Sequence, residues 1–157
     1  MIPLCMSPQE DARVDQKVRL AVYQHFVSTG AAPDLPALAA PLALTAEQIE
    51  SSLRRLGAQR VLVLEEGPGR IRMAMPFSGV PTQYRVETAR GAWWANCGWD
   101  ALGIPAMLNE DARITTRCQD YDVPLSLTVE SGQLREREGV LHFLVPAARW
   151  WQDIGFT

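Results

Sequence analysis

Cys97 and Asp100 stand three residues apart in the run Trp93-Trp94-Ala95-Asn96-Cys97-Gly98-Trp99-Asp100, where a strand-like pattern gives way to a helical one. A thiolate binds soft metals, and a carboxylic acid delivers protons. At a helix start, free backbone amides and the helix dipole favour the thiolate, so Cys97 is expected to titrate as a low-pKa thiol. The i, i+3 spacing puts Asp100 on the same helical face. Trp93, Trp94 and Trp99 are expected to make the surroundings apolar, which raises the proton affinity of Asp100 and keeps a proton in hand. Such a pair could grip a soft ion, Hg(II) or Cu(I), and protonate what is attached to it. The same residues also fit a plainer arrangement, with the cysteine and tryptophans as core and Asp100 as a cap or ion-pair partner.

The remaining chemically able side chains are more scattered. Cys118 closes a strand-like run and reads as structural, and Cys5 lies in a Pro-containing leader. His142 falls in the alternating run Val140–Val145 and reads as a strand-face residue, while Asp153 reads as a solvated helix charge. Three cysteines in 157 residues make no disulfide framework, and with His25 and His142 they show no zinc-finger spacing. Reduced thiols in a reducing compartment fit better.

Composition bounds the setting. With 47% hydrophobic and 21% charged residues, the chain is of globular type, long enough for one ordinary domain or two small ones. No apolar run approaches the roughly 18 residues needed to span a bilayer. The N-terminal residues lack the basic start and apolar stretch of a signal peptide, so a soluble, cytoplasmic protein without a membrane partner is expected. A net charge of -3 offers no general attraction to nucleic acid. Nothing in the sequence speaks to the oligomeric state.

The elements that must position Cys97 and Asp100 follow from periodicity and punctuation. Val14, Val18, Val22 and Phe26 recur at i, i+4 and predict a helix from Arg13 to Thr29, stopped by Gly30. A short helix is expected over Asp34–Ala40. Thr45-Ala46-Glu47-Gln48 is a capping box that opens a third, carrying Ile49, Leu53 and Leu56 and ending near Gly57. Val61–Leu64, a Gly-Pro-Gly turn and Ile71–Met75 predict a β-hairpin. Three helices followed by a hairpin is the winged-helix order, although Arg54, Arg55 and Arg60 are modest basic content for a DNA-reading helix.

Pro76–Pro81 reads as a linker. Beyond it, strands are expected at 84–87, 92–95, 114–118, 125–129 and 140–145, with a helix over 100–108 that Pro105 should kink or shorten. The fold class is therefore α+β. It comprises a leader (1–12), a winged-helix-like domain (13–77) and a mixed β/α domain (78–157).

The segment from Pro76 to Thr157 resembles the organomercurial (alkylmercury) lyase family. The resemblance is carried by Pro76-Phe77-Ser78-Gly79-Val80-Pro81-Thr82 and by Ala95-Asn96-Cys97-Gly98-Trp99-Asp100-Ala101-Leu102-Gly103-Ile104-Pro105. It extends to the strand ending at Cys118, to Val123–Val129 and to Val145-Pro146-Ala147-Ala148-Arg149-Trp150-Trp151. It implies protonolysis of a carbon–mercury bond, giving a hydrocarbon and Hg(II). Cys97 would be the thiolate that attacks mercury, and Asp100 would deliver the proton and contact the metal. Cys118 would be structural. No organic cofactor is implied, and mercury enters as substrate and product; the partner is a small organomercurial or other soft-metal species. The resemblance also implies a second catalytic cysteine directly after the run 153–157, and with Cys97 alone turnover is expected to be weakened or lost. A reading from another class is a non-catalytic thiol or heavy-metal-binding protein, or a regulator using the winged helix for DNA or a protein partner.

Overall fold

In the computed structural model, which describes residues 7–136 and 138–155, helix α1 spans Pro8–Thr29. It starts earlier than its apolar repeat indicates, because a capping box lies in the expected leader. The Glu10 amide donates to Ser7 Oγ at 3.3 Å and the Ser7 amide to Glu10 Oε2 at 2.8 Å, with Pro8 in the first turn. The leader reading thus gives way to helix from Pro8, while Cys5 lies outside the described residues. Val18, Val22 and Phe26 are fully buried, as their spacing predicts.

Helix α2 (Leu35–Leu42) is capped by Asp34, whose Oδ1 accepts from the Ala37 amide at 2.8 Å. Helix α3 (Ala46–Ala58) begins with the expected reciprocal box. Thr45 Oγ1 accepts from the Gln48 amide at 3.2 Å, and Gln48 Oε1 accepts from the Thr45 amide at 2.9 Å. Helices α1 and α3 are tied by a buried polar cluster. Asp15 Oδ1 accepts from Ser52 Oγ at 2.6 Å and from Arg55 Nη2 at 2.7 Å, and Arg55 also reaches Asp11 at 3.3 Å.

Strands β1 (Val63–Leu64) and β2 (Ile71–Ala74) form the expected hairpin. They are joined by β3 (Phe77–Ser78), β4 (Tyr84–Thr88) and β5 (Ala92–Ala95), then helix α4 (Gly98–Leu108), β6 (Ala112–Arg117), β7 (Pro124–Glu130) and β8 (Gln133–Leu134). All eight strands lie in one antiparallel sheet of order β1-β2-β3-β5-β4-β6-β7-β8.

The run 76–81 is therefore not a linker. Phe77 and Ser78 are buried and bridge β2 to β5, so the boundary near residue 77 falls inside the sheet. Its Pro and Gly residues serve tight turns around a short strand. Gly79 lies so close to the Ile71 carbonyl that a Cβ there would collide with it. The ring of Phe77 stacks on Phe26 of α1, with centroids 5.4 Å apart, and lies 6.3 Å from the Trp93 ring. Trp93 Nε1 donates to the Phe26 carbonyl at 2.7 Å. One core cluster accordingly runs from Val18 to Val129 across both halves of the chain.

The strand expected over 140–145 does not form. That run stays irregular and lies over the start of α4, with Leu141 against Gly98. Val140 is 92% exposed and His142 is exposed in irregular chain, not on a strand face. The rest of this segment contains a short 3₁₀ turn, Ala147–Gln152, with Asp153 just past it. Pro105 sits inside α4 without shortening it; Asn109, in the left-handed region, closes the helix by donating to the Pro105 carbonyl. No helix among the described residues is long and apolar enough to cross a membrane.

The Asp15 cluster yields a prediction. Burial pushes the Asp15 carboxyl up, but hydrogen bonds from Arg55 and Ser52 and the Arg55 charge outweigh it, leaving it below the ordinary value. A carboxylate whose folded pKa is depressed stabilises the fold above its unfolded pKa, about 3.9, and that contribution fades as pH falls through the folded pKa. Asp15→Ala is expected to cost about 1–3 kcal/mol in urea unfolding at neutral pH, and the gap to wild type should narrow in acid.

Candidate active site

Strand β5 ends in the sheet at Ala95, and the next two residues, Asn96 and Cys97, turn the chain into α4. Cys97 is the N-cap of that helix, in extended backbone (φ -151°, ψ 178°), with its Sγ 3.5 Å from the Asp100 amide that points at it. Sulfur thus occupies the place usually held by a Ser or Asp oxygen. Asp100, one turn in, is on the same side, and its carboxylate lies near enough to the Cys97 thiol for each to shift the other's proton affinity. The two side chains expected to meet do meet.

Asn96 holds the acid in place. Its Nδ2 lies 3.0 Å from Asp100 Oδ2 and 3.2 Å from each of the Pro76 and Phe77 carbonyls. Those two fixed acceptors require the amide nitrogen, not the oxygen, to face them, so Asp100 always meets a donor. The buried strand β3 therefore reaches the carboxylate through one side chain.

Burial dominates the protonation of both groups. It pushes the Asp100 carboxyl up, against the lowering effect of hydrogen bonds from Asn96 and Cys97, as its sequence context suggests. Burial also pushes the Cys97 thiol up. The amides of Asp100 and Trp99 at the helix start oppose this, but the nearby Asp100 charge adds to it. The expected low-pKa thiolate is thus overturned: a half-buried sulfur beside a carboxylate holds its proton, helix dipole notwithstanding.

The pair opens into a pocket of about 200 Å³, several times the roughly 30 Å³ share of one water. Its walls are mostly apolar and come from three places: the β2–β3 region (Met73, Met75, Val80), the start of α4, and the segment carrying Phe143, Trp150 and Ile154. Phe143 and Trp150 pair with centroids 5.2 Å apart, and Trp150 Nε1 donates to the Val145 carbonyl at 2.7 Å. Gly98 lets this segment close over the helix start; a Cβ there would lie 2.6 Å from Leu141 Cδ1.

The tryptophans divide differently from expectation. Trp93 is core, Trp94 faces away and carries the Arg85 guanidinium 4.6 Å above its ring, and only Trp99 of the three lines the pocket. Cys118 is half-buried just past β6 and is not part of the pocket lining; His142 and Asp153 are not in it either. Among the described residues no group of three or more His, Cys, Asp or Glu side chains could hold a metal. Asn96, Met73 and Met75 escape sequence reasoning. Asn96 carries no charge, and the methionines read only as an alternating strand. Tyr23, whose Oη donates to the Met75 carbonyl at 3.0 Å, feels the Asp100 charge from behind the pocket.

The alkylmercury lyase family model matches residues 77–157, more than half of the chain. The chain belongs to the alkylmercury lyase family. It is 28% identical over 113 residues to an alkylmercury lyase of Pseudomonas putida, a match covering 65% of this chain and 52% of that protein. The chain thus spans about half the length of the curated relative it matches. The fold is similar to the crystal structure of the mercury-bound form of MerB2, with a TM-score of 0.60, 19% identity, and coverage of 82% of this chain and 66% of that one. The family membership and the shared fold agree with the α+β class and with the resemblance carried by the 95–105 block.

The buried thiol–carboxyl pair makes a direct prediction about reactivity. The pH midpoint for iodoacetamide alkylation of Cys97 should lie above that of an ordinary cysteine, and Asp100→Asn should lower it by removing the neighbouring negative charge. A midpoint at or below the free-cysteine value would contradict the electrostatic description.

Proposed function

We propose that this protein cleaves the carbon–mercury bond of small organomercurials by protonolysis, with Cys97 as the metal-binding nucleophile and Asp100 as the proton carrier. The observation that carries this reading is the juxtaposition of Cys97 and Asp100, with Sγ at the Asp100 amide, in the wall of a mostly apolar pocket. For a substrate R–Hg–X, the Cys97 sulfur bonds to mercury, X departs, and the thiol proton passes to the Asp100 carboxylate. The carbon–mercury bond then breaks with its electron pair on carbon, which takes that proton from Asp100. The products are R–H and Hg(II) on Cys97, with the Asp100 carboxylate regenerated beside the metal as an oxygen donor. One proton is carried through, no oxidant or reductant is consumed, and no organic cofactor is required.

A held proton suits this chemistry. A low-pKa thiolate would attack mercury readily but would have sent its proton to solvent. A second sulfur donor would push more electron density onto the carbon. The resemblance places such a cysteine just after the run that contains Ile154 and Gly155, and both of these line the pocket, which supports the assignment.

We further propose that residues 13–77 form a winged-helix-like module that props the catalytic part, residues 78–157, and does not read DNA. The helix order and hairpin support the first half of this. The engaged arginines support the second: Arg54 pairs with Glu50, Arg55 with Asp15 and Asp11, and Arg60 lies 5.5 Å over the Trp151 ring.

Phenylmercury with excess thiol should release benzene, measured by gas chromatography. Cys97→Ser should abolish release and Asp100→Asn should slow it by roughly 10²–10⁴-fold. The rate should fall at alkaline pH once the pair loses its shared proton. Hg(II) retention without benzene would replace the enzymatic reading by a metal-binding one.

A further inference from the structure

Two sulfur atoms in the pocket are not accounted for by the proton chemistry. Met73 is only 8% exposed, yet it stands outside the main core cluster. Met75 is half-buried and is likewise absent from the apolar residues packed on that core. Both line the pocket that holds Cys97 and Asp100. Met73 lies in β2 and Met75 in the turn just past it. The backbone there is held by the Tyr23 hydrogen bond to the Met75 carbonyl.

Thioethers are poor ligands for hard cations and good ones for soft cations. We infer that Met73 and Met75, together with the Cys97 thiolate, form a sulfur-rich site that retains a soft d¹⁰ cation, with Hg(II) as its occupant. The inference rests on Cys97 as the metal-binding thiol, but it adds donors from β2 and the turn after it that the thiol–carboxyl pair lacks. Binding is ligand exchange alone. Hg(II) gives up labile ligands such as chloride for the sulfur lone pairs, Cys97 yields its proton to Asp100 or water, and no electron is transferred. Retention on this chain's own sulfurs would hold the metal until an external dithiol removes it.

Leucine separates the sulfur from the shape. Met→Leu keeps volume and apolarity closely enough to preserve the pocket wall. The probe is Hg(II) alone, added to full-length protein carrying ¹³C-methyl methionine and competed with glutathione. The methyl resonances of Met73 and Met75, assigned from the single variants, should shift on binding, while Met107 stays in place. The Met73→Leu/Met75→Leu protein should lose Hg(II) to glutathione at least about tenfold more easily, on the scale of losing a partner that tunes a metal site. Unmoved methyl signals, or unchanged retention in the double variant, would overturn the inference even if Cys97 still binds mercury. Failure of Cys97 itself to bind Hg(II) would instead strike at the site as a whole, and benzene release measured in parallel keeps the two outcomes apart.

Discussion

A thiol taken out of water next to a carboxylate cannot easily lose its proton, and the candidate site is organised around that constraint. Asp100 is pushed toward its neutral form by burial, and Cys97 is pushed the same way by burial and by Asp100. Either ionisation makes the other harder, so one proton is kept between sulfur and oxygen. The backbone serves this arrangement. The β5-to-α4 turn places sulfur at the helix cap, Asp100 follows one turn later, and Asn96 fastens the carboxylate to the carbonyls of Pro76 and Phe77.

That anchoring explains why the fold extends well beyond the 95–105 block. Strand β3 can offer its carbonyls only because it is clamped between β2 and β5 and backed by the Phe26–Phe77 stack. Helix α1 therefore supports the acid through two layers of packing, and the Asp15–Arg55–Ser52 cluster fixes α1 against α3. Catalytic geometry held to a fraction of an ångström needs such support from rigid elements, because a proton moves efficiently only between aligned neighbours.

Local signals were readable where local physics decides. The Val14–Phe26 repeat, the Thr45–Gln48 box and the helical spacing of Cys97 and Asp100 all correspond to observed elements. The Ser7–Glu10 box was equally local but was masked by the neighbouring prolines. Features set by tertiary context were not readable. Pro76–Pro81 has a linker's composition and a strand's burial. Val140–Val145 alternates like a strand, but it lies over the start of α4 and joins no strand of the sheet. The sign of the Cys97 shift depends on how much water the fold removes, which no helix-start argument contains. The roles of Asn96, Met73 and Met75 emerge only when β2, β3 and α4 are brought to one pocket.

The most direct test of the shared proton is the infrared S–H stretch of Cys97 at neutral pH, isolated as the difference between wild type and Cys97→Ser. The account predicts a distinct band, shifted to low frequency by donation to the Asp100 carboxylate and returning toward the free-thiol position in Asp100→Asn. Absence of an S–H band at neutral pH, or a band indifferent to Asp100→Asn, would contradict it.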